Sequence, residues 1–165
     1  MTLRGVVMGV SGTGKTSVGL ALARRLGVPY LDGDDLHPAA NVAKMAAGTP
    51  LTDEDRWPWL DEVARTLSES APVIVGCSAL RRAYRDRLRE AAGGPVTFFY
   101  LHGPRDVIAA RMSGRKGHYM PPALLDSQIA TLEPPGTDEA VALDIMLPLD
   151  VIADTAIQAI QGDRT

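Results

Sequence analysis

Gly9-Val10-Ser11-Gly12-Thr13-Gly14-Lys15-Thr16 has the form G-x-x-x-x-G-K-T. The apolar run Val6-Val7-Met8 leads into it, and a helix-like stretch, Lys15–Leu26, leads out. A strand, a glycine-rich turn and a helix in that order give the context in which this spacing cradles phosphate. The glycines let successive backbone N–H groups point inward at the positive end of a helix dipole. Lys15 then reaches the β- and γ-phosphates as a point charge, and Thr16 offers its hydroxyl to Mg²⁺. The reading is a nucleoside triphosphate site made of Gly9, Val10, Ser11, Gly12, Thr13, Gly14, Lys15, Thr16 and Ser17.

Working outward, apolar runs alternate with helix-like stretches along the chain. The runs are Gly5–Val10, Val28–Leu31, Val73–Cys77, Val96–Leu101 and, more weakly, Val141–Leu147. Runs of Val, Ile and Leu without polar alternation read as strands covered on both faces, which points to a parallel sheet between helices. Helices are predicted at Lys15–Leu26, Ala39–Ala46, Asp53–Ser70, Leu80–Ala91, Pro104–Met112, Pro121–Thr131 and Asp150–Ile160. Thr52 before Asp53-Glu54-Asp55 is a good cap, and Pro58 predicts a kink or a restart inside the helix that follows. The expected fold is a single α/β domain over residues 1–165 with a five-stranded parallel sheet. Two segments exceed simple alternation: a helical insertion at about 36–70, suited to hold an acceptor, and a Gly- and Arg-rich lid at about 111–122.

Bulk properties set limits on partners. The chain has 165 residues, 45% hydrophobic and 22% charged, the size and balance of one globular domain. A net charge of −3 argues against nucleic acid or an anionic membrane as partner. No run approaches a membrane span. The loop begins close to Met1, which leaves no room for a targeting segment. The single cysteine, Cys77, allows no internal disulfide, and a reducing cytoplasm is the expected compartment.

Two polar clusters bring chemistry to the loop. Leu31-Asp32-Gly33-Asp34-Asp35-Leu36-His37 follows the second strand, so Asp32 and Asp34 leave the same sheet edge as the phosphate loop. The third strand ends in Cys77-Ser78 without a carboxylate, which makes Asp32 and Asp34 the candidates for the metal and for the acceptor hydroxyl. The competing reading is a solvated acidic turn that caps the next helix. Arg111-Met112-Ser113-Gly114-Arg115-Lys116-Gly117-His118 places three cations around two glycines, as a lid that neutralises a transferred phosphoryl requires. A solvated basic loop is the alternative. Arg56 and Arg81 offer forks for a carboxylate, with a solvated helix face as the equal alternative.

Together these blocks resemble the small gluconate kinases of the shikimate-kinase-like P-loop group. The matching residues are Met8–Thr16, Leu31-Asp32-Gly33-Asp34 with Leu36-His37-Pro38, Asn41 with Lys44-Met45, Gly48, and Pro50-Leu51. They continue through Asp53 with Arg56-Trp57-Pro58-Trp59-Leu60, Cys77-Ser78-Ala79-Leu80 and Tyr84-Arg85-Asp86. Arg115-Lys116-Gly117-His118, Gln128 with Thr131-Leu132-Glu133, and Asp138-Glu139 complete the set, which spans nearly the whole chain. Tyr119, Pro135, Arg81 and Arg82 depart from the family's usual residues. The resemblance implies a three-layer P-loop kinase fold and ATP- and Mg²⁺-dependent phosphorylation of D-gluconate to 6-phospho-D-gluconate by a homodimer. It implies catalytic roles for Lys15, Asp34 and Arg115, a metal role for Asp32 with Thr16, and a place for Arg111 beside the adenine. Asp34, His37, Arg56, Ser78, Ala79, Leu80 and Arg81 would hold the sugar acid. A kinase of this fold with another acceptor, such as shikimate, and a non-catalytic nucleotide-binding module are the alternatives.

Overall fold

Val6, Val7 and Met8 are fully buried, as are Val73, Ile74 and Val75, so neighbouring residues on opposite faces of these strands are both covered. In a strand that condition requires helices on each side. Burying each such side chain contributes about 1.5–3 kcal/mol. The structure, a computed structural model, describes residues 2–113 and 122–162.

Its strands are β1 (Arg4–Met8), β2 (Tyr30–Asp32), β3 (Val73–Gly76), β4 (Thr97–His102) and β5 (Ala140–Asp144), in the spatial order β2-β3-β1-β4-β5. Every pairing is parallel. The described helices are α1 (Lys15–Leu26), α2 (Ala39–Ala46), α3 (Asp53–Glu69), α4 (Arg82–Ala91), α5 (Arg105–Ser113), α6 (Pro122–Thr131) and α7 (Leu149–Gly162), with a 3-10 turn at Gly33–Leu36 after β2. The five-stranded parallel sheet and the seven helices agree with the sequence expectation. The 3-10 turn had no counterpart in it, and β2 begins two residues later than the apolar run. No described helix is long and apolar enough to cross a membrane.

Strand order matters because it decides what lies together at the carboxyl edge. β1 sits between β3 and β4, so the loop after β1 has the segments after β3 and β4 as immediate neighbours. Gly9 N–H donates to Ser78 O at 3.2 Å, and Cys77 N–H to Val7 O at 3.0 Å. Those two bonds lock the end of β3 to the start of the loop.

The insertion is built around α3. Thr52 Oγ1 accepts from Asp55 N–H at 3.2 Å, while Asp55 Oδ2 accepts from Thr52 N–H at 2.9 Å. This capping box stabilises the start by about 1 kcal/mol. Pro58 lies inside α3, yet the helix runs unbroken from Asp53 to Glu69, so there is no restart. The missing N–H falls within the first two turns, and downstream burial of Trp59, Leu60, Val63, Ala64 and Leu67 holds the helix in place.

Candidate active site

Glycine geometry shapes the loop. Gly12 has φ +86°, and a Cβ there would lie 2.5 Å from Met112 Cγ and 3.1 Å from Ile108 Cγ2. The loop therefore bends beneath α5, where any side chain at 12 would collide. Thr13, 2% exposed, donates its hydroxyl to Val10 O at 2.8 Å. Lys15 Nζ donates to Gly9 O at 2.9 Å and to Val10 O at 3.1 Å, which holds the ammonium over the loop. Ser11 N–H donates to Gln128 Oε1 at 2.8 Å, so an α6 side chain reaches the loop's inner face.

On the other side of the site, Asp32 Oδ1 accepts from Asp34 N–H at 2.9 Å and so caps the 3-10 turn. The carboxylate of Asp34 is turned outward into a cleft beside His37. The His37 ring stacks on Trp59, with centroids 4.1 Å apart and planes 16° apart. Trp59 Nε1–H donates to Gly33 O at 2.8 Å, so one indole holds both the acidic turn and the histidine. Burial, reinforced by the nearby Arg56 charge, pushes His37 down to about 4, and the ring is neutral at ordinary pH. Arg56 Nη1 donates to the Tyr84 hydroxyl at 2.9 Å, and that hydroxyl donates in turn to Asp53. Burial and the Asp53 bond push Tyr84 up to about 12, so it remains a neutral anchor for the guanidinium.

These elements enclose a cleft of about 620 Å³, part of it open solvent. Its walls join the loop residues Ser11 and Lys15 to Asp34, His37, Arg56, Ser78 and Leu80. Donor loop and acceptor candidates therefore share one space. Met45, Thr49, Pro50, Leu51 and Trp59 close it from the insertion, and Leu124, Ser127 and Gln128 close it from α6.

Not every expected site residue faces that cleft. Ala79 is fully buried with φ +48°, a left-handed conformation, and its carbonyl accepts from Arg85 Nη1 at 2.8 Å. It shapes the wall without lining it. Arg81 lies 3.8 Å from Asp53 and is also outside the lining. Arg111 Nη2 donates to Ile145 O at 2.9 Å, placing it against the segment after β5. Arg115, with most of the expected lid, lies outside the described residues. Cys77 is buried, and burial pushes its thiol up to about 12, which makes it a packing residue.

Residue reasoning did not pick out the α6 wall. Leu124, Ser127 and Gln128 recur at i, i+3 and i+4, one helix face. Two polar residues beside Leu124 on one face, with Gln128 already among the residues of the family resemblance, were the available signal.

The wall after β3 is held by Arg85, 1% exposed. Its guanidinium donates to Ala79 O at 2.8 Å, Leu80 O at 3.2 Å, Glu133 O at 2.9 Å and Glu139 Oε1 at 2.6 Å. Burial alone would raise the Glu139 carboxyl, but the bonds from Arg85 and Arg89 outweigh it and hold the group below its ordinary value.

Residues 6–135 match the family described as "AAA domain". Across 166 aligned residues the chain is 44% identical to the "Thermoresistant gluconokinase" of Escherichia coli (strain K12), covering 96% of this chain and 94% of that protein. Among solved structures, a gluconokinase from Sinorhizobium meliloti 1021 aligns with a TM-score of 0.86 at 52% identity, over 93% of this chain and 89% of that one. A shikimate kinase from Bacteroides thetaiotaomicron aligns with a TM-score of 0.72 at 18% identity, over 98% and 99% of the two chains. That last likeness is one of fold alone.

Proposed function

The chain belongs to the gluconokinase family of P-loop kinases, and on that premise we propose that it transfers the γ-phosphoryl of ATP to the C6 hydroxyl of D-gluconate, giving 6-phospho-D-gluconate. One observation carries the reading beyond the family. Ser11 and Lys15 of the phosphate loop line the same cleft as Asp34, His37 and Arg56, so a bound hydroxyl and a bound terminal phosphate have a common space.

The chemistry follows from the residues. Phosphoryl transfer asks the protein mainly for positioning and charge neutralisation. The loop's amides and Lys15 hold the phosphates, and Asp34 accepts or orients the proton of the attacking hydroxyl. Arg56, anchored by Tyr84, pairs with the sugar acid's carboxylate. His37, Ser78 and Leu80 complete the acceptor wall. Arg111 flanks the adenine, and Arg115 meets the transferred group. The donors offered to a metal are the Thr16 hydroxyl and the Asp32 carboxylate, hard oxygens that suit an Mg²⁺ arriving on the phosphates. That ion supplies further neutralisation of phosphate charge. A cytoplasmic homodimer with no nucleic-acid or membrane partner belongs to the same reading.

The test is ADP release, coupled to NADH oxidation, with ATP, Mg²⁺ and a panel of sugar acids plus shikimate. Turnover with D-gluconate above the other acids is expected. Turnover on shikimate alone would move the protein to another acceptor, and binding of ATP with no acceptor-dependent turnover would make it a nucleotide-binding module.

A further inference from the structure

Asn41 is 3% exposed and lies in the first turn of α2, between His37 and the start of α3. Its amide nitrogen is 2.8 Å from the backbone carbonyl of Asp55 and 3.1 Å from His37 Nδ1. A backbone carbonyl can only accept, so the amide nitrogen, not the oxygen, faces Asp55. Its second N–H is then the group presented to Nδ1. A ring nitrogen that receives a hydrogen bond carries no proton, so the proton of the neutral ring is on Nε2.

Stacking on Trp59 fixes where that N–H points. His37 Nε2 lies 4.0 Å from Asp34 Oδ1, too far for a direct hydrogen bond. It is a separation that one hydroxyl oxygen spans, at about 2.8 Å from each partner. Such a hydroxyl would donate to Asp34 and accept from His37. An ether oxygen can accept but not donate, and a deoxy position does neither, so each leaves a desolvated group unmatched.

We propose that Asn41 is a positioning residue which locks His37 as its Nε2–H tautomer, so that His37 and Asp34 together read one hydroxyl of the acceptor. The inference rests on the kinase reading above and adds the means by which a hydroxyl-bearing acceptor is told from its analogues. The charges facing the ring are Asp34 from the 3-10 turn, Asp32 from the end of β2 and Arg56 from α3, with Lys15 lining the same cleft. Asp55, behind Asn41, is engaged by Lys44 at 2.7 Å.

Asn41→Asp gives a signature that lost packing does not. A carboxylate can only accept, so it draws the ring proton to Nδ1 and leaves Nε2 as an acceptor. The new carboxylate also raises the ring above its wild-type value of about 4, and protonating the ring restores Nε2–H. The ratio of variant to wild-type kcat/KM for D-gluconate is expected to be about tenfold down at about pH 8 and to recover toward about pH 6. The KM for ATP should stay within about twofold. A ratio that is constant across that range overturns the proposal.

Nitrogen NMR of the wild-type histidine rings tests the same point without the variant. His37 should show an unprotonated Nδ1 and a protonated Nε2, and the opposite tautomer sinks the proposal whatever the acceptor is. A wild-type protein that ignores D-gluconate would instead overturn the kinase reading, with the tautomer result still decided by the spectrum.

Discussion

The two halves of the cleft are made of different material. On the proposed reading the donor half is backbone: one continuous octapeptide, Gly9–Thr16, with positive φ at Gly9, Gly12 and Gly14. On the same reading the acceptor half is side chain: Asp34, His37, Arg56 and Ser78 come from the segment after β2, from α3 and from the segment after β3. A backbone site depends on where glycine is permitted, so it carries over between enzymes with different acceptors. A side-chain site depends on which distant segments the strand order brings together, so that is where acceptor choice is held.

The largest expected effect strikes the donor half. Lys15→Ala should lower kcat on the order of 10³-fold or more with any acceptor, since it removes a preorganised cation from the transferring phosphates. Melting should stay near wild type. A loss confined to the KM for the sugar acid would dissolve the division between halves.

Asp34→Asn sits at the junction. It should lower kcat by roughly 10²–10³-fold, the range for a lost general base, with little change in the KM for ATP. If only the ATP constant moves, Asp34 belongs to the donor half.

Arg56→Ala should raise the KM for D-gluconate by roughly 10- to 100-fold, equivalent to one charge-assisted hydrogen bond of about 1.5–3 kcal/mol, and leave the ATP constant alone. The uncharged polyol of matching length, tested alongside, should lose no affinity from the substitution. An equal loss for both would show that Arg56 serves packing rather than carboxylate recognition.

The smallest effect concerns acid stability of the insertion. The Lys44 ammonium and the Thr52 backbone hold Asp55 down to about 2. A carboxyl depressed in the folded state contributes stability that is complete above its unfolded value, about 4, and is lost as pH falls through about 2. Both tryptophans, Trp57 and Trp59, lie on α3, so their fluorescence follows this half of the molecule. In Lys44→Met the fluorescence transition should move to higher pH while far-UV circular dichroism lags behind. Coincident, unshifted transitions would mean that Lys44–Asp55 adds nothing to the insertion.

Legibility in the sequence followed the same division. The strands and helices were visible because buried parallel strands are written as unbroken apolar runs, and the phosphate loop because its conformation demands glycine at fixed spacing. Arg56 and His37 were visible as candidates but not as neighbours. Arg81 and Ala79 looked like wall residues from their place after β3, yet one lies beside Asp53 outside the lining and the other is fully buried. Gln128 stood among the residues of the family resemblance but without a role, since its bond to Ser11 spans 117 residues and no local pattern encodes such a contact. The tautomer of His37 likewise depends on the Asp55 carbonyl, 18 positions away in the chain but adjacent in the fold.

Arg85 has a consequence for how this enzyme can change over generations. Its buried guanidinium holds the Ala79 and Leu80 carbonyls and pairs with Glu139, so any shift of that wall's backbone leaves buried donors unmet, a cost of about 1–3 kcal/mol for each group. Met45, Thr49 and Leu51 carry no such bond, and the strap across their segment is the half-exposed Lys44–Asp55 pair. Selection for a different acid should therefore take its first steps at positions 45 to 51, while residues 78 to 80 stay as they are through many changes of diet.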